Sequence, residues 1–343
     1  MRLFHGLLLS LLVLTGCQTV PTAPPKTAPN AEAPAAETSR APADSEPRVV
    51  DSKPEPPVTA LPAPAPAPVP APVPAPVPAA KPLKIALALG GGAARGFAHI
   101  GVIKVLEANG IYPEIVAGTS AGSLVGALYA AGNNGSALQK LAMEMDEAAI
   151  SDWSVPFFSN SSGVLKGEGL QQFVNRAVQQ QPIEKLKLQF GAVATDLKSG
   201  QPILFRRGNT GAAVRASSAV PGVFHPVRIN HVDYVDGGLV SPVPVSFARK
   251  MGADFVIAVN ISAQPDAQPA SSTFEILLQT FAIMGQSLNQ YELKQADVVI
   301  RPELATMKGS DFNGRGTAII AGEKAALAVL NEIRQKLKAR RGN

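Results

Sequence analysis

Ser120 lies in Gly118-Thr119-Ser120-Ala121-Gly122, between an apolar run, Glu114 to Ala117, and a helix-forming run, Ser123 to Ala131. A Gly-x-Ser-x-Gly between strand and helix puts the serine at the tip of a tight turn. Side chains at Gly118 or Gly122 would clash as strand and helix approach each other. The N–H of Ala121 and the positive end of the following helix then face the serine oxygen. Such strings also occur at purely structural turns, so the pentapeptide needs company. Some is found upstream, where the apolar stretch Lys84 to Leu89 runs into Gly90-Gly91-Gly92-Ala93-Ala94-Arg95-Gly96. Successive glycines leave N–H groups uncovered, ready to converge on an anion. The spacing fits neither a dinucleotide fingerprint nor a P-loop. What remains is an oxyanion hole, and Ser120 gives it something to serve.

A third element is Asp236-Gly237-Gly238. It closes Val232 to Val235, which pairs with Val227 to Ile229 across an Asn230-His231 turn. Alone it would be an ordinary Asp-Gly turn. Beside a serine elbow and a glycine-rich donor loop it becomes a general-base carboxylate. The chain has four histidines. His5 falls in a leader, His99 on the helix after the glycine loop as a packing residue, and His231 in a turn. His225 is the one candidate for a catalytic triad. A carboxylate base is improved by partial burial, which raises its pKa toward that of the proton it must take. No acidic run has Ca²⁺-loop spacing, and no metal or cofactor is expected.

These groups need a scaffold. Strand-like runs at 84–89, 114–117, 190–195, 203–206, 254–260 and 297–300 alternate with helical patterns. The alternation predicts an α/β domain of three layers, α/β/α, with a mainly parallel central sheet. A helix carrying Phe274, Leu277, Leu278, Phe281, Met284 and Leu288 on one face is expected to pack on the core, with membrane binding as the lesser alternative. Trp153, Phe157 and Phe158 suggest either a cap over an acyl site or a satellite core.

The three motifs, in this order, resemble the patatin-like phospholipase family, in particular its bacterial single-domain members. The resemblance runs from about Leu83 to the C-terminal helix. It takes in Val193-Ala194-Thr195-Asp196-Leu197, Ser217-Ser218-Ala219-Val220-Pro221-Gly222-Val223-Phe224 and Gly252-Ala253-Asp254-Phe255-Val256-Ile257-Ala258-Val259. It implies a patatin-like fold over 83–343 and a Ser–Asp dyad. Ser120 would be nucleophile and Asp236 base, with Gly118, Gly122, Gly237 and Gly238 shaping the turns. Gly90, Gly91 and Gly92 would supply oxyanion donors, and Arg95 would brace their loop.

The N-terminus bears on location. Leu7 to Leu14 is too short to span a bilayer and fits the core of a signal peptide, residues 1–16. Leu14-Thr15-Gly16-Cys17 resembles a bacterial lipobox, which makes Cys17, the single cysteine, a lipidation site. Gln18 after it implies, by the same resemblance, sorting to a Gram-negative outer membrane. Residues 17–82 then form a tether rich in Pro and Ala. It has too few large apolar residues to offset its folding entropy, and its Pro alternation favours an extended spacer.

The region from Leu83 onward carries the net charge of +5, and Arg334, Lys336, Lys338, Arg340 and Arg341 account for the excess. A solvated helix end and a patch for anionic lipid headgroups both fit this cluster. No nucleic-acid motif is present. The sequence therefore predicts a serine acyl hydrolase acting on phospholipid or lysophospholipid esters at the cell envelope. A non-catalytic lipid-binding or scaffold lipoprotein is the alternative, as is an acyltransferase running on the same dyad.

Overall fold

The structure is a computed structural model that describes residues 83–145, 165–264 and 272–342. The leader, Cys17, the tether, Trp153, Phe157 and Phe158 lie outside the described residues. All described residues belong to one unit, Ala75–Asn343.

Five strands form the parallel part of the sheet: β1 (Ile85–Leu89), β2 (Ile115–Thr119), β3 (Gln189–Asp196), β7 (Phe255–Val259) and β8 (Val298–Ile300). Their order is β3-β2-β1-β7-β8. Strands β4 (Pro202–Phe205), β5 (Val227–Ile229) and β6 (Val232–Asp236) add to it antiparallel, β5 through β6. Asn230 and His231 have φ of 50° and 67°, as a two-residue hairpin turn requires.

β1 shows how the sheet is covered. Ile85, Leu87 and Leu89 enter one apolar cluster, and Ala86 and Ala88 enter a second. Alternate side chains of a strand point to opposite faces, so both faces are buried. The larger cluster holds α1 (Ala98–Ala108), α2 (Ala121–Ala130), α5 (Thr210–Ser217) and α8 (Arg315–Ala328). The second is closed by the short α6 (Val245–Lys250), which the small alanines of β1 admit closely. This is the predicted α/β/α arrangement with a mostly parallel sheet. The helices α3 (Gly135–Glu144) and α4 (Glu168–Ala177) lie on the α1–α2 side.

One expectation fails. The apolar run from Phe274 forms a helix, α7 (Thr273–Glu292), but this helix is not a core element. Among its described residues only Gly285 and Asn289 are buried. Leu277, Leu278, Phe281 and Leu288 are partly exposed, and Ile276, Ile283, Met284 and Tyr291 are open. The second sheet face is already closed by α6. The prominent fastenings of α7 are polar: Glu292 accepts from the Ser246 N–H and hydroxyl, and Asn289 donates to the Ser262 hydroxyl. Among the described residues, no helix is long and apolar enough to cross a membrane. At the C-terminus, α9 (Leu330–Arg341) sends Lys336 and Arg340 to Asp297 and Arg334 to Asn109.

Candidate active site

One edge of β3 brings the Ser120 and Asp236 motifs together. Ala192 and Val193 pair with both β2 and β4, so β2 and β4 occupy opposite edges. Ala194 and Thr195 pair with both β4 and β6. Strands β2 and β6 therefore share an edge. β2 ends at Thr119 opposite Val193, and β6 takes over with Asp236 opposite Ala194. Ser120 leaves the sheet at this handover, beside Asp236.

The elbow is strained. Ser120 has φ 54° and ψ −124°, outside the comfortable range for an L-residue. A Cβ on Gly122 would lie 2.1 Å from the Leu89 carbonyl oxygen, and one on Gly118 2.5 Å from the Gly122 carbonyl oxygen. Both positions exclude any other residue. The Ser120 N–H donates to Ser217 Oγ at 2.9 Å, and Ser217 donates to the Val193 carbonyl at 2.6 Å. Thr119 Oγ1 donates to the Ser241 carbonyl. These buried hydroxyls hold a turn that backbone preference opposes.

Asp236 is buried and anchored. Its N–H donates to the Ala219 carbonyl, its carbonyl accepts from Thr195 Oγ1, and its Oδ1 accepts from the Gly238 N–H at 2.6 Å. Gly237 is held tightly, because a Cβ there would sit 2.1 Å from the Val193 carbonyl oxygen. Burial pushes the carboxyl pKa up to about 6, against the Gly238 N–H and the Ser120 hydroxyl, which pull it down. Oδ2 makes no hydrogen bond among the described residues. The Ser120 hydroxyl is among the groups that act on the Asp236 carboxyl.

The glycine loop corrects the oxyanion expectation. Gly90 donates its N–H to the Val259 carbonyl and Gly91 donates to the Pro242 carbonyl. Those two donors are spent on fixing the loop. Gly91 instead serves by closeness: a Cβ there would lie 3.2 Å from Ser120 Cβ. Among the described residues, the N–H groups of Gly92, Ala93, Ala121 and Gly122 make no hydrogen bond. The first turn of α2 also carries no acidic residue to quench its positive end.

Arg95 reaches back to the Gly92 carbonyl with Nε at 3.3 Å. His99 is fully buried, with Nε2 2.8 Å from the Gly90 carbonyl oxygen. A carbonyl can only accept, so Nε2 carries the proton. Burial holds the imidazole down at about 4, outweighing the Gly90 carbonyl, which raises it. His99 is therefore a neutral brace of the loop, a role that its reading as a packing residue did not include. The four-residue spacing from Arg95 was the available signal. His225 is exposed, and its N–H bonds to the Leu165 carbonyl. Nothing in the local sequence signals the bonds that Ser217 makes, because a buried serine next to Ser218 carries no mark of its role. Among the described residues, no group of three His, Cys, Asp or Glu could hold a metal ion.

The chain is similar to several known proteins. Residues 87–249 match the family model described as patatin-like phospholipase. An uncharacterized NTE family protein of Mycobacterium bovis is 38% identical over 187 residues, covering 54% of this chain and 51% of that protein. Human patatin-like phospholipase domain-containing protein 6 is 33% identical over 233 residues, 65% of this chain and 16% of its own length. The chain thus spans about half of the mycobacterial relative and far less of the human one. Among solved structures, VipD from Legionella pneumophila aligns with a TM-score of 0.49 at 15% identity, covering 73% of this chain and 67% of that one. The glycine loop, Ser120 and Asp236 all fall within residues 87–249, the stretch that is similar to the patatin-like phospholipase model.

Proposed function

We propose that the protein is a serine acyl hydrolase that cleaves the acyl esters of phospholipids or lysophospholipids through a Ser120–Asp236 dyad. The observation that carries this reading is a strained, nearly buried serine beside a buried carboxyl whose pKa is raised to about 6. Such a carboxylate is ionised at neutral pH yet basic enough to take a hydroxyl proton in a transition state. Ser120 Oγ attacks the ester carbonyl while Asp236 takes its proton. The free N–H groups of Gly92 and Ala121 hold the oxyanion. The tetrahedral centre collapses to an acyl-serine, and the proton on Asp236 goes to the leaving alcohol. Water then attacks the acyl group, Asp236 takes its proton, and Ser120 is released. The open apolar side of α7, beside the Asp236 turn, suits a substrate presented at a lipid surface.

The same reading places the protein at the cell envelope, held by lipid on Cys17, with residues 18–82 as a spacer. Cys17→Ser is expected to abolish lipidation; a normal mature mass in the outer-membrane fraction would reject the anchor.

The dyad is tested with a fluorophosphonate probe and a chromogenic ester. The probe is expected to label Ser120 and to fail on Ser120→Ala. Turnover is expected to fall by at least about 10³-fold in both Ser120→Ala and Asp236→Asn, and little in His225→Ala. A folded His225→Ala as inactive as Ser120→Ala would replace the dyad with a triad. A folded wild type with no labelling and no turnover would favour the lipid-binding alternative.

A further inference from the structure

The larger of two described cavities, about 640 Å³, is lined in part by Gln189 and Phe190 at the start of β3. Ser120 follows the end of the parallel strand β2, so that cavity faces the opposite end of the sheet. The second cavity, about 350 Å³, is on the catalytic side. It opens where β7 ends, between Asn260 and Ser262 on one wall and α7 on the other. Strand β7 runs parallel to β1 with Val259 opposite Leu89. The chain beyond Val259 therefore travels beside the glycine loop. A Cβ on Gly92 would lie 2.7 Å from the Ile261 carbonyl oxygen, so the cavity wall touches the loop that faces Ser120.

The lining has a definite chemistry. Lys294 and Arg301 supply two cations, and no Asp or Glu is among the lining residues. The remaining polar groups are mainly amides. Gln286, Asn289 and Gln290 follow helical i, i+3, i+4 spacing, so α7 turns one polar stripe to the cavity while Ile276 and Ile283 stay open elsewhere. Asn289 is 4% exposed. Its Nδ2 donates to Ser262 Oγ, and its Oδ1 has no hydrogen-bond partner among the described residues. A buried acceptor left unpaired costs stability, and a ligand donor would relieve that cost.

We propose that this cavity is the subsite for the polar part of a glycerophospholipid or lysophospholipid. Arg301 and Lys294 hold the phosphate. Asn289 pairs with a hydroxyl or ammonium of the glycerol or headgroup. The assignment rests on the lipid-ester reading of Ser120. It adds that the enzyme selects phosphate-bearing esters over neutral ones, because two cations without an opposing carboxylate favour a bound anion.

The test compares a lysophosphatidylglycerol with a monoacylglycerol of the same chain, using wild type, Arg301→Gln, Lys294→Gln and the double variant. Lys294 and Arg301 are exposed, so these variants keep the fold. The expected result is a fall in the ratio of kcat/KM for the two substrates of about tenfold per cation removed, carried by KM. Asn289→Asp, which sets a carboxylate against the phosphate, is expected to lower the ratio further. An unchanged ratio with both esters still cleaved would overturn the subsite and leave the hydrolase intact. If neither ester is cleaved, the hydrolase reading fails and binding decides the cavity. For that arm, Ser120→Ala is titrated by calorimetry with sn-glycerol 3-phosphate, inorganic phosphate and glycerol. Glycerol 3-phosphate binding more tightly than the other two, with loss in the Arg301→Gln background, supports the proposal. Equal binding of inorganic phosphate would make it a free-anion site, and no binding by any of the three would reject it.

Discussion

α7 and α8 both carry apolar residues at helical spacing, yet they end in opposite situations. α8 buries Ala318, Ile319, Gly322 and Ala326. It meets α1 so closely that a Cβ on Gly101 would lie 2.0 Å from the Ile319 carbonyl oxygen, and one on Gly322 2.0 Å from the Ala98 carbonyl oxygen. α7 has Phe281, Ile283, Met284 and Leu288 and buries none of them. Burial here follows the small residues that let backbones touch, not the count of large apolar ones. The difference matters for the site. α1 carries His99, which fixes Gly90, so the α1–α8 crossing supports the glycine loop. α7 lines the second cavity and, among its described residues, buries only Gly285 and Asn289.

The largest expected effect therefore belongs to the crossing. Gly101→Val would force α1 and α8 apart or shift both. Destabilisation on the order of 3 kcal/mol or more is expected, read from chemical denaturation, with loss of activity as the loop loses its support. A folded, active variant with a near-normal midpoint would end the claim that the crossing is rigid.

Asp236→Asn probes the middle ground, where the site stores strain in a well-packed frame. Burial raises the carboxyl from 3.8 in the unfolded chain to about 6 in the fold. A group with a raised folded pKa contributes stability that is fully present below 3.8 and lost as pH rises through 6. At pH 7 to 8 the wild type pays that cost in full and the amide does not. The variant is expected to be inactive but more stable at neutral pH, by roughly 3 kcal/mol at most. The gain should shrink as pH falls from 6 toward 4. Wild-type kcat/KM should fall over the same interval, because the base becomes protonated. A variant less stable than wild type at every pH would mean that the carboxylate is held by interactions which outweigh its burial.

Much of this was legible in the chain. Alternation of short apolar runs with helical patterns located the β strands at Ile85, Ile115, Gln189, Phe255 and Val298, because strands buried on both faces are continuously apolar. Gly118 and Gly122 announced the elbow because no other residue fits there. Three things were hidden. The handover from β2 to β6 along one edge of β3 is a long-range pairing that leaves no local pattern. The spending of the Gly90 and Gly91 N–H groups depends on Val259 and Pro242, far along the chain. The exposure of α7 was hidden because amphipathic spacing says which side is apolar, not whether anything covers it.

The smallest effect is the one that sharpens the contrast most. Ile283 is 50% exposed on α7. Full burial of such a side chain contributes about 1.5–3 kcal/mol, and a realistic unfolded chain already hides part of that area. Ile and Ser have similar helix propensity, so the exchange leaves the helix itself nearly unchanged. Ile283→Ser is thus expected to cost under about 1 kcal/mol in the same denaturation experiment that detects Gly101→Val. Turnover of a soluble ester, which needs no apolar surface to reach Ser120, should stay close to wild type. A cost of 2 kcal/mol or more, on the scale of a buried isoleucine, would mean that α7 is packed like α8 and that the two helices do not differ in kind.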